Sequence, residues 1–296
     1  MTPKEALLKA GRIHHEICQK ARDIVKPGTK YLDIAVQIEQ WIQEAGASLA
    51  FPVNLQVNNQ VHYSPIPNDP KVLKDDDLIK VDVGVHVDGY IADGAFTLTF
   101  NKDYQDMVDF TEETLKKAIT GLKPGMPLSE IGRRLDECMK DSKYKIIRNL
   151  MGHQIQQYNL HGDKSVLVYE NKENKKTMEV GEAFAIEIFI TDGDGWIRSA
   201  PEVTIYSLAN PNAPCRNPRV KKLIKEIWKK RKSFPFSERY IVEHLGYSKV
   251  DFFLLLKTDA LHQYQVLVEK PGTKVAQFED VIYVDENEVI ITTKPQ

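Results

Sequence analysis

The stretch from residue 80 to residue 93 places the dipeptide Asp88-Gly89 between two runs rich in β-forming residues. Asp-Gly accepts the positive φ angles of a two-residue hairpin turn, so this stretch predicts a β-hairpin. With the turn at this dipeptide, Asp82 and Asp93 lie on one face of the hairpin in diagonal positions. Diagonal side chains are roughly 7–8 Å apart. A metal ion between them can therefore accept an oxygen ligand from each at about 2.0–2.2 Å.

The strands around these two aspartates are almost wholly apolar, with Val81, Val83 and Val85 before the turn. A lone carboxylate on a strand usually faces solvent and needs no partner. Buried carboxylates, in contrast, need a cation, a proton or several hydrogen-bond donors to offset their desolvation. The hairpin therefore favours a metal site, provided that the rest of the chain supplies further ligands.

The overall composition is that of a globular protein, with 42% hydrophobic and 28% charged residues among 296. This length permits one large domain or two small ones. A net charge of −2 gives no general attraction to nucleic acid or anionic membranes. The three cysteines lie far apart, which is typical of a reducing compartment and disfavours disulfides or a cysteine metal site. The chain begins with helix signals instead of a signal peptide, and no apolar run could span a bilayer, so we expect a cytoplasmic protein without membrane contact.

Helix signals dominate the first 140 residues. Thr2, Pro3 and Glu5 match an N-cap, a first-turn proline and a capping-box acid, and Lys26-Pro27-Gly28 ends the helix that they begin. The elements expected in this part are helices over residues 3–25 and up to about residue 46, an irregular stretch over 51–70, the hairpin, and helices near 107–122 and 128–140.

Two parts of the sequence recur later in the chain. Lys26-Pro27-Gly28 returns 97 positions later as Lys123-Pro124-Gly125, and in each case a helix pattern follows. The strand around Asp82 returns 105 positions later around Glu187, again with one acid in an apolar run. These echoes predict two related helix-plus-strand halves, in which Asp82 and Glu187 are counterparts.

The composition changes after residue 201. Residues 210–214 form a Pro- and Asn-rich linker, and an amphipathic helix follows whose outer face carries the basic residues from Arg219 to Lys232. A further helical pattern covers residues 250–261. We therefore expect a helical insert over residues 208–270, followed by strands over 274–284 and 289–293 that are joined by a turn at 285–287.

Three later residues are candidates to complete the metal site. His153 follows a glycine that lets the backbone approach closely, Glu187 lies in an apolar run unsuited to an unpaired charge, and Glu279 lies on a late strand. With Asp82 and Asp93 they make four carboxylates and one imidazole. One divalent ion neutralises half of this negative charge, and two balance it. A dinuclear site of this kind activates water and polarises a carbonyl group.

The chain resembles the methionine aminopeptidases over essentially its whole length. The resemblance rests on the order of these five residues and on the motifs Phe51-Pro52, His62-Tyr63-Ser64-Pro65, Gly152-His153, His161-Gly162, Ala185-Ile186-Glu187 and Gln277-Phe278-Glu279. The insert is similar to that of the type 2 branch, and the short N-terminal part is similar to its archaeal members. The resemblance implies an α+β pita-bread fold with two pseudo-symmetric αβ halves, as one catalytic domain over residues 1–296 that contains the insert subdomain 208–270.

The resemblance also implies roles for the metal ligands. Asp82 would bind one ion, Asp93 and Glu279 would bridge both, and His153 and Glu187 would complete the other. Glu187 would also accept a proton from the attacking water. Oxygen and imidazole ligands suit manganese, iron, cobalt and zinc alike, so the sequence leaves the identity of the two divalent ions open.

On the substrate side, the resemblance implies that His62 and His161 contact the substrate and stabilise the tetrahedral centre. The pocket walls would be Phe51, Leu160, Phe189 and Tyr264. The implied reaction removes the initiator methionine from nascent polypeptide N-termini when the second residue is small, and the enzyme would be a monomer.

The sequence departs from the family pattern in three places. Val61 stands where a small alanine is common, Asp280-Val281 replaces a histidine and threonine, and no proline follows His161-Gly162 in the segment after it. No metal ligand is lost. The departures bear on the shape of the pocket and on the surroundings of Glu279, where Asp280 could alter metal affinity.

Other interpretations remain open. A prolidase or creatinase relative shares the metal ligands, although those enzymes usually carry a large N-terminal domain and lack this insert. A catalytically silent pita-bread protein would use the fold for binding, but such relatives lose ligands. From position alone, His62 and His161 fit structural histidines. The basic helix 219–232 is either a solvated surface or a contact with ribosomal RNA.

Overall fold

The structure is a computed structural model that describes residues 1–295. Its helices are α1 (Pro3–Ile24), α2 (Tyr31–Glu44), α3 (Gln105–Ile119), α4 (Ser129–Met139), α5 (Pro218–Arg231) and α6 (Lys249–Leu256), with a 3₁₀ turn at Lys102–Tyr104 and a π-helical turn at Tyr240–His244. Its strands are β1 (Ser48–Leu49), β2 (Asn54–Val57), β3 (Gln60–Val61), β4 (Leu78–Val87), β5 (Tyr90–Thr99), β6 (Lys145–Ile146), β7 (Met151–Ile155), β8 (Ser165–Leu167), β9 (Ala183–Thr191), β10 (Arg198–Leu208), β11 (Leu261–Val268), β12 (Val275–Val284) and β13 (Val289–Ile291).

The first helix forms as its termini predict. The Thr2 side chain accepts a hydrogen bond from the backbone of Glu5, and the Glu5 side chain accepts one from the backbone of Thr2, so both members of the capping box are present. The helix ends at Ile24, one residue before the predicted end. Gly28 then takes a φ of 85°, a left-handed conformation that ends the turn before α2.

The predicted hairpin is confirmed as β4 and β5. Asp88 and Gly89 have φ angles of 50° and 85°, which is the pair of positive values that a two-residue turn requires. Asp82 pairs with Ala95 and Gly84 pairs with Asp93, which is the expected register. Alternate residues of β4 are buried against the helices, so Asp82 faces the opposite side of the sheet.

The large sheet confirms the two related halves. Its order is β1-β4-β5-β12-β9-β7-β8, so β4 and β9 stand on either side of the central pair β5 and β12. Helix α1 packs on β4 and β5, and α3 packs on β12 and β9. The Pro-Gly turns also correspond, because Gly28 N donates to Leu73 O at 2.8 Å and Gly125 N donates to Met178 O at 2.8 Å. Asp82 and Glu187 are thus equivalent positions on equivalent strands.

Two predictions of local structure need correction. The stretch 51–70 is not wholly irregular, because it contains β2 and β3. Within the expected helical insert 208–270, helix ends at Leu256 and a tight turn follows, with Lys257 N bonded to Leu254 O. Residues 261–268 form a strand whose backbone groups are satisfied by pairing with β10. The status of 208–270 as a separate subdomain stays a prediction.

The predicted basic surface also needs correction at one position. Arg231 is 6% exposed and does not belong to the outer face of α5. Its guanidinium donates to Leu49 O at 2.6 Å, to Ala50 O at 3.1 Å and to Pro235 O. This side chain anchors the insert to the end of β1. Across residues 1–295, no helix is both long enough and apolar enough to cross a bilayer.

Candidate active site

One row of side chains crosses the large sheet on the face turned away from α1 and α3. The strand register places Asn54 opposite Asp82, Asp82 opposite Ala95, Ala95 opposite Glu279 and Glu279 opposite Glu187. Opposed side chains on neighbouring strands share one face of a sheet. Three predicted metal ligands from three separate strands are therefore neighbours because of this register.

The next row of the same face supplies the other two ligands. Asp93 lies opposite Gly84, and His153 lies opposite Ala185. His153 Nε2 is 3.8 Å from Asp93 Oδ2 and 3.9 Å from Glu187 Oε1. The ligand atoms of Asp93, His153 and Glu279 all lie within 4.8 Å of one another. The structure thus brings the five predicted ligands to one cavity, where all five contribute to the lining.

Burial disfavours the ionised form of these four acids unless cations balance their charge. Burial raises the pKa of Asp82 to about 7, and burial together with the Asp82 charge raises the pKa of Glu187 to about 8. Burial and the neighbouring carboxylates hold the pKa of Asp93 and that of Glu279 well above their usual range. Burial lowers the pKa of His153 to about 3, so its imidazole is neutral and able to bind a metal.

The chemistry of the buried side chains fits divalent metal ions. Asp82 Oδ1 is buried, and no donor within residues 1–295 forms a hydrogen bond to it. A buried oxygen of this kind needs a partner, and a hard or borderline cation is the partner that carboxylates and an imidazole suit. The residues present therefore fit the metal that the cluster requires.

Two glutamines support the ligands and were not anticipated from the sequence. Gln56 Nε2 lies 3.4 Å from Asp82 Oδ2, and Gln277 Nε2 lies 3.3 Å from Glu279 Oε2. Each amide group orients a carboxylate and favours its ionised form. In the sequence, the position of Gln277 two residues before Glu279 on a strand indicates that the two side chains share one face and can meet.

Asp280 has different surroundings from those expected. Its Oδ1 accepts a hydrogen bond from Thr293 Oγ1 at 2.7 Å, and its Oδ2 is 3.3 Å from Lys294 Nζ. Because neighbouring residues of a strand face opposite sides, its carboxylate points away from that of Glu279. Asp280 therefore does not contact the metal ligands directly.

The cavity in front of the five ligands encloses about 530 Å³, part of it open to solvent. Of the predicted substrate contacts, its lining contains His62, His161, Phe51, Leu160 and Tyr264. The structure adds three further lining residues, which sequence reasoning missed: Asn54, Ile205 and Pro235. An apolar wall beside a polar, charged floor is the usual form of a site that binds a small apolar side chain next to a reacting group.

Phe189 is the exception among the predicted pocket walls. It shares a strand face with Glu187, but it lies one row further along β9 and is 1% exposed. Val61, Ile147, Ile197 and Val275 form a separate apolar cluster with it. Phe189 packs in this cluster and does not line the cavity, so the structure does not bear out its assignment to the pocket wall.

The two candidate histidines line the same cavity as His153. The rings of His153 and His161 are 4.5 Å apart between centroids, at an interplanar angle of 70°. His62 has a φ of 60°, a left-handed backbone conformation that is uncommon for a residue with a side chain. Burial, with a smaller contribution from His161, lowers the pKa of His62 to about 4. A neutral imidazole at this position can donate one hydrogen bond.

Two pseudo-symmetric αβ halves with buried carboxylates and an imidazole at their centre define the pita-bread class of metal-dependent hydrolases. The sequence matches the model of metallopeptidase family M24 over residues 5–286, and the chain belongs to this family.

Individual relatives agree with this family. A methionine aminopeptidase from Thermococcus kodakarensis is 35% identical over 296 residues, which covers 99% of this chain and 100% of the relative. Among solved structures, a thermophilic Arx1 has a TM-score of 0.81 and 18% identity, covering 98% of this chain and 90% of its own. A methionine aminopeptidase from Thermotoga maritima has a TM-score of 0.72 and 21% identity, covering 100% of this chain and 98% of its own. The two structures support the fold.

Proposed function

We propose that this protein is a methionine aminopeptidase that hydrolyses the first peptide bond of polypeptides beginning with methionine and a small second residue. The observation that carries the proposal is the convergence of five metal ligands at the floor of a cavity with apolar walls. The T. kodakarensis relative, similar over its whole length, supports the choice of substrate. Because its proposed substrates are nascent polypeptides, we expect the enzyme to act in the cytoplasm and as a monomer.

The ligand set fits two divalent ions. Asp82, Asp93, His153, Glu187 and Glu279 are the residues that would hold them. Bound there, the ions would activate a water molecule and polarise the scissile carbonyl group. Manganese, iron, cobalt and zinc all suit these ligands.

The other residues would bind the substrate and move protons. The Glu187 carboxylate takes a proton from the attacking water and returns it to the leaving amine. The neutral imidazoles of His62 and His161 donate hydrogen bonds to the charge that develops on the carbonyl oxygen. Phe51, Leu160 and Tyr264 exclude water around the methionine side chain.

Hydrolysis of Met-Ala-Ser, measured beside hydrolysis of an Xaa-Pro dipeptide, tests this proposal. We expect hydrolysis of the tripeptide and little or none of the dipeptide. His153→Ala should lower the rate at least about 100-fold, because loss of a ligand costs more than loss of its supporting residues. His244→Ala, which changes an exposed histidine in the insert, is the matched control. Preference for the dipeptide would favour the prolidase alternative, and an inactive metal-loaded protein would favour the silent relative.

The proposal extends to a partner, ribosomal RNA, for the exposed face of α5. This face carries Lys221, Lys222, Lys225, Lys229 and Lys230, without Arg231. Arg219 forms an ion pair with Asp251, with its Nε 2.9 Å from Asp251 Oδ2, so we do not count it among the residues that would bind RNA. Lys230 is paired with Glu226 at 3.2 Å, which leaves Lys221, Lys222, Lys225 and Lys229 as the exposed row. Such a row gives sequence-independent, salt-dependent attraction to phosphates.

Replacement of three of these lysines with glutamate tests the contact by co-sedimentation with ribosomes. We expect K221E/K222E/K225E to reduce binding and to leave Met-Ala-Ser hydrolysis unchanged. K116E/K117E on α3, which reverses two exposed lysines elsewhere, is the control. Equal binding of both variants would refute the contact.

A further inference from the structure

The loop of residues 156–161, which ends in Leu160 and His161, is hydrogen-bonded to the turn at the tip of the β4–β5 hairpin. Tyr158 N donates to Gly89 O at 2.9 Å, and Gln157 Nε2 donates to Asp88 O at 2.8 Å. The turn between the strands that carry Asp82 and Asp93 is therefore also an attachment point for the loop that carries a candidate substrate contact.

The aromatic ring of Tyr158 lies directly on Gly89. A Cβ atom at position 89 would be 2.5 Å from Tyr158 Cδ2, which is closer than real contacts allow. Glycine is thus required at position 89 for two reasons: its backbone has a φ of 85°, and the Tyr158 ring occupies the space of a Cβ atom. The same ring packs against Phe234, at 5.8 Å between centroids, and against His86, at 6.1 Å. Phe234 belongs to the insert, so three segments of the chain meet at Tyr158.

The backbone of Tyr158 is held in an unfavourable conformation. Its φ of 58° is left-handed, which a residue with a large side chain adopts only when the surrounding contacts enforce it. Ser233 Oγ donates to Tyr158 O at 2.5 Å and supplies one of these contacts. Beyond His161, Gly162 N donates to Gln154 O at 2.7 Å. His161 therefore lies between two tethered points of the loop.

His161 depends on these tethers more than His62 or His153 does. Its side chain is exposed, whereas those of His62 and His153 are partly buried. Its ring contacts that of His153 but forms no hydrogen bond within residues 1–295, so the backbone of its loop largely determines where the ring lies. If the left-handed residue relaxed to a negative φ, the chain direction two and three residues later would change and the imidazole would leave the cavity.

We propose that Tyr158 is a positioning residue for His161, acting through its contact with Gly89 at the hairpin tip. The proposal deepens the proposed function, since it assumes that His161 contacts the substrate. In the native protein the Tyr158 contacts keep the loop in its strained conformation and so keep the His161 imidazole over the metal ligands.

A double-mutant cycle tests the proposal with Met-Ala-Ser as substrate. We expect Tyr158→Ala to lower kcat between about 10- and 100-fold, the range typical of a displaced catalytic group. Metal content after reconstitution should be unchanged. In the His161→Ala background, Tyr158→Ala should cause little further loss, because the group that it positions is absent. Equal losses in both backgrounds would overturn the proposal.

Two more variants separate positioning from loss of folding. The Tyr158 contacts that matter are those of its ring and backbone, so Tyr158→Phe should retain activity. Gly89→Ala should displace the ring and reproduce the loss seen for Tyr158→Ala. Tyr144→Ala, which removes a half-buried ring packed on Phe110 far from the cavity, should leave activity unchanged. A retained rate in Tyr158→Ala, or a loss in Tyr158→Phe as large as in Tyr158→Ala, would contradict the proposal.

A spectroscopic measurement distinguishes failure of this inference from failure of the proposed function. The His161 imidazole signal is followed by NMR in metal-loaded protein with labelled histidine, and His161→Ala identifies it. We expect the signal to shift in Tyr158→Ala and Gly89→Ala but not in Tyr144→Ala. An unshifted signal would overturn the positioning role even in an active enzyme. Absence of tripeptide hydrolysis by the wild type, with the signal shifting as expected, would overturn the proposed function alone.

Discussion

A buried ion pair attaches the insert to helix α2, and its removal gives the strongest stability prediction. Arg239 Nη1 donates to Glu39 Oε2 at 2.7 Å, Arg239 Nη2 donates to Glu39 Oε1 at 2.7 Å, and Arg239 Nε donates to Pro65 O at 2.8 Å. Glu39 Oε1 also accepts a hydrogen bond from Val53 N at 3.2 Å, two residues from the pocket wall Phe51. The Arg239 and Glu39 side chains are 1% and 6% exposed.

Arg239→Met should lower the free energy of unfolding by about 3–5 kcal/mol, because it leaves the Glu39 carboxylate buried with a single backbone donor. Glu39→Leu combined with Arg239→Met removes both charges and should recover much of this loss. Urea unfolding of the metal-loaded proteins measures both effects. The control, Lys143→Met, breaks an exposed pair with Asp106 and should cost at most about 1 kcal/mol. A cost below about 1 kcal/mol for Arg239→Met, or a double variant no more stable than the single one, would refute this reasoning.

Three further predictions concern the site and the core. In chelated protein, the free energy of unfolding relative to Glu187→Gln should fall from pH 5 to pH 8, because burial raises the pKa of Glu187 to about 8 and the folded state therefore binds more protons than the unfolded state. Thermal unfolding measures this, and a rise with pH would contradict it. Burial lowers the pKa of His14 to about 4, so stability should be lost as pH falls from about 6.5 towards 4, and less so in His14→Gln, as acid unfolding curves would reveal. Gln56→Leu should weaken metal binding about 10- to 100-fold, as measured by calorimetry. Gln60→Leu on β3, a residue that does not line the cavity, should leave the affinity unchanged. Equal affinities of the two variants would exclude the supporting role of Gln56.

Local signals in the sequence were sufficient for the elements that they control. Asp88-Gly89 determines the hairpin turn, Thr2 and Glu5 cap the first helix, and both act through neighbours in the chain. The acids were found because a carboxylate inside an apolar run is costly without a partner. The two echoes then predicted that Asp82 and Glu187 occupy equivalent strands, which the sheet order confirms.

Features that depend on distant partners were not predictable in the same way. Arg231 looked like part of a basic helix face, and only the carbonyl groups of Leu49 and Ala50 explain its burial. Phe189 lies on the correct strand face, but it packs in an apolar cluster whose members come from distant parts of the chain, and it does not line the cavity. The strand over residues 261–268 comes directly after the helical pattern of residues 250–261, and it is stabilised by pairing with β10, far away in sequence.

Metal titration of the chelated protein, with bound metal and Met-Ala-Ser hydrolysis measured on the same samples, tests the central claim most directly. The claim is that Asp82, Asp93, His153, Glu187 and Glu279 together hold the ions that support hydrolysis. We expect activity to be absent after chelation, to return as metal binds, and to reach its maximum as binding approaches two ions per chain. Activity that survives chelation, or that returns equally in His153→Ala, would contradict the claim.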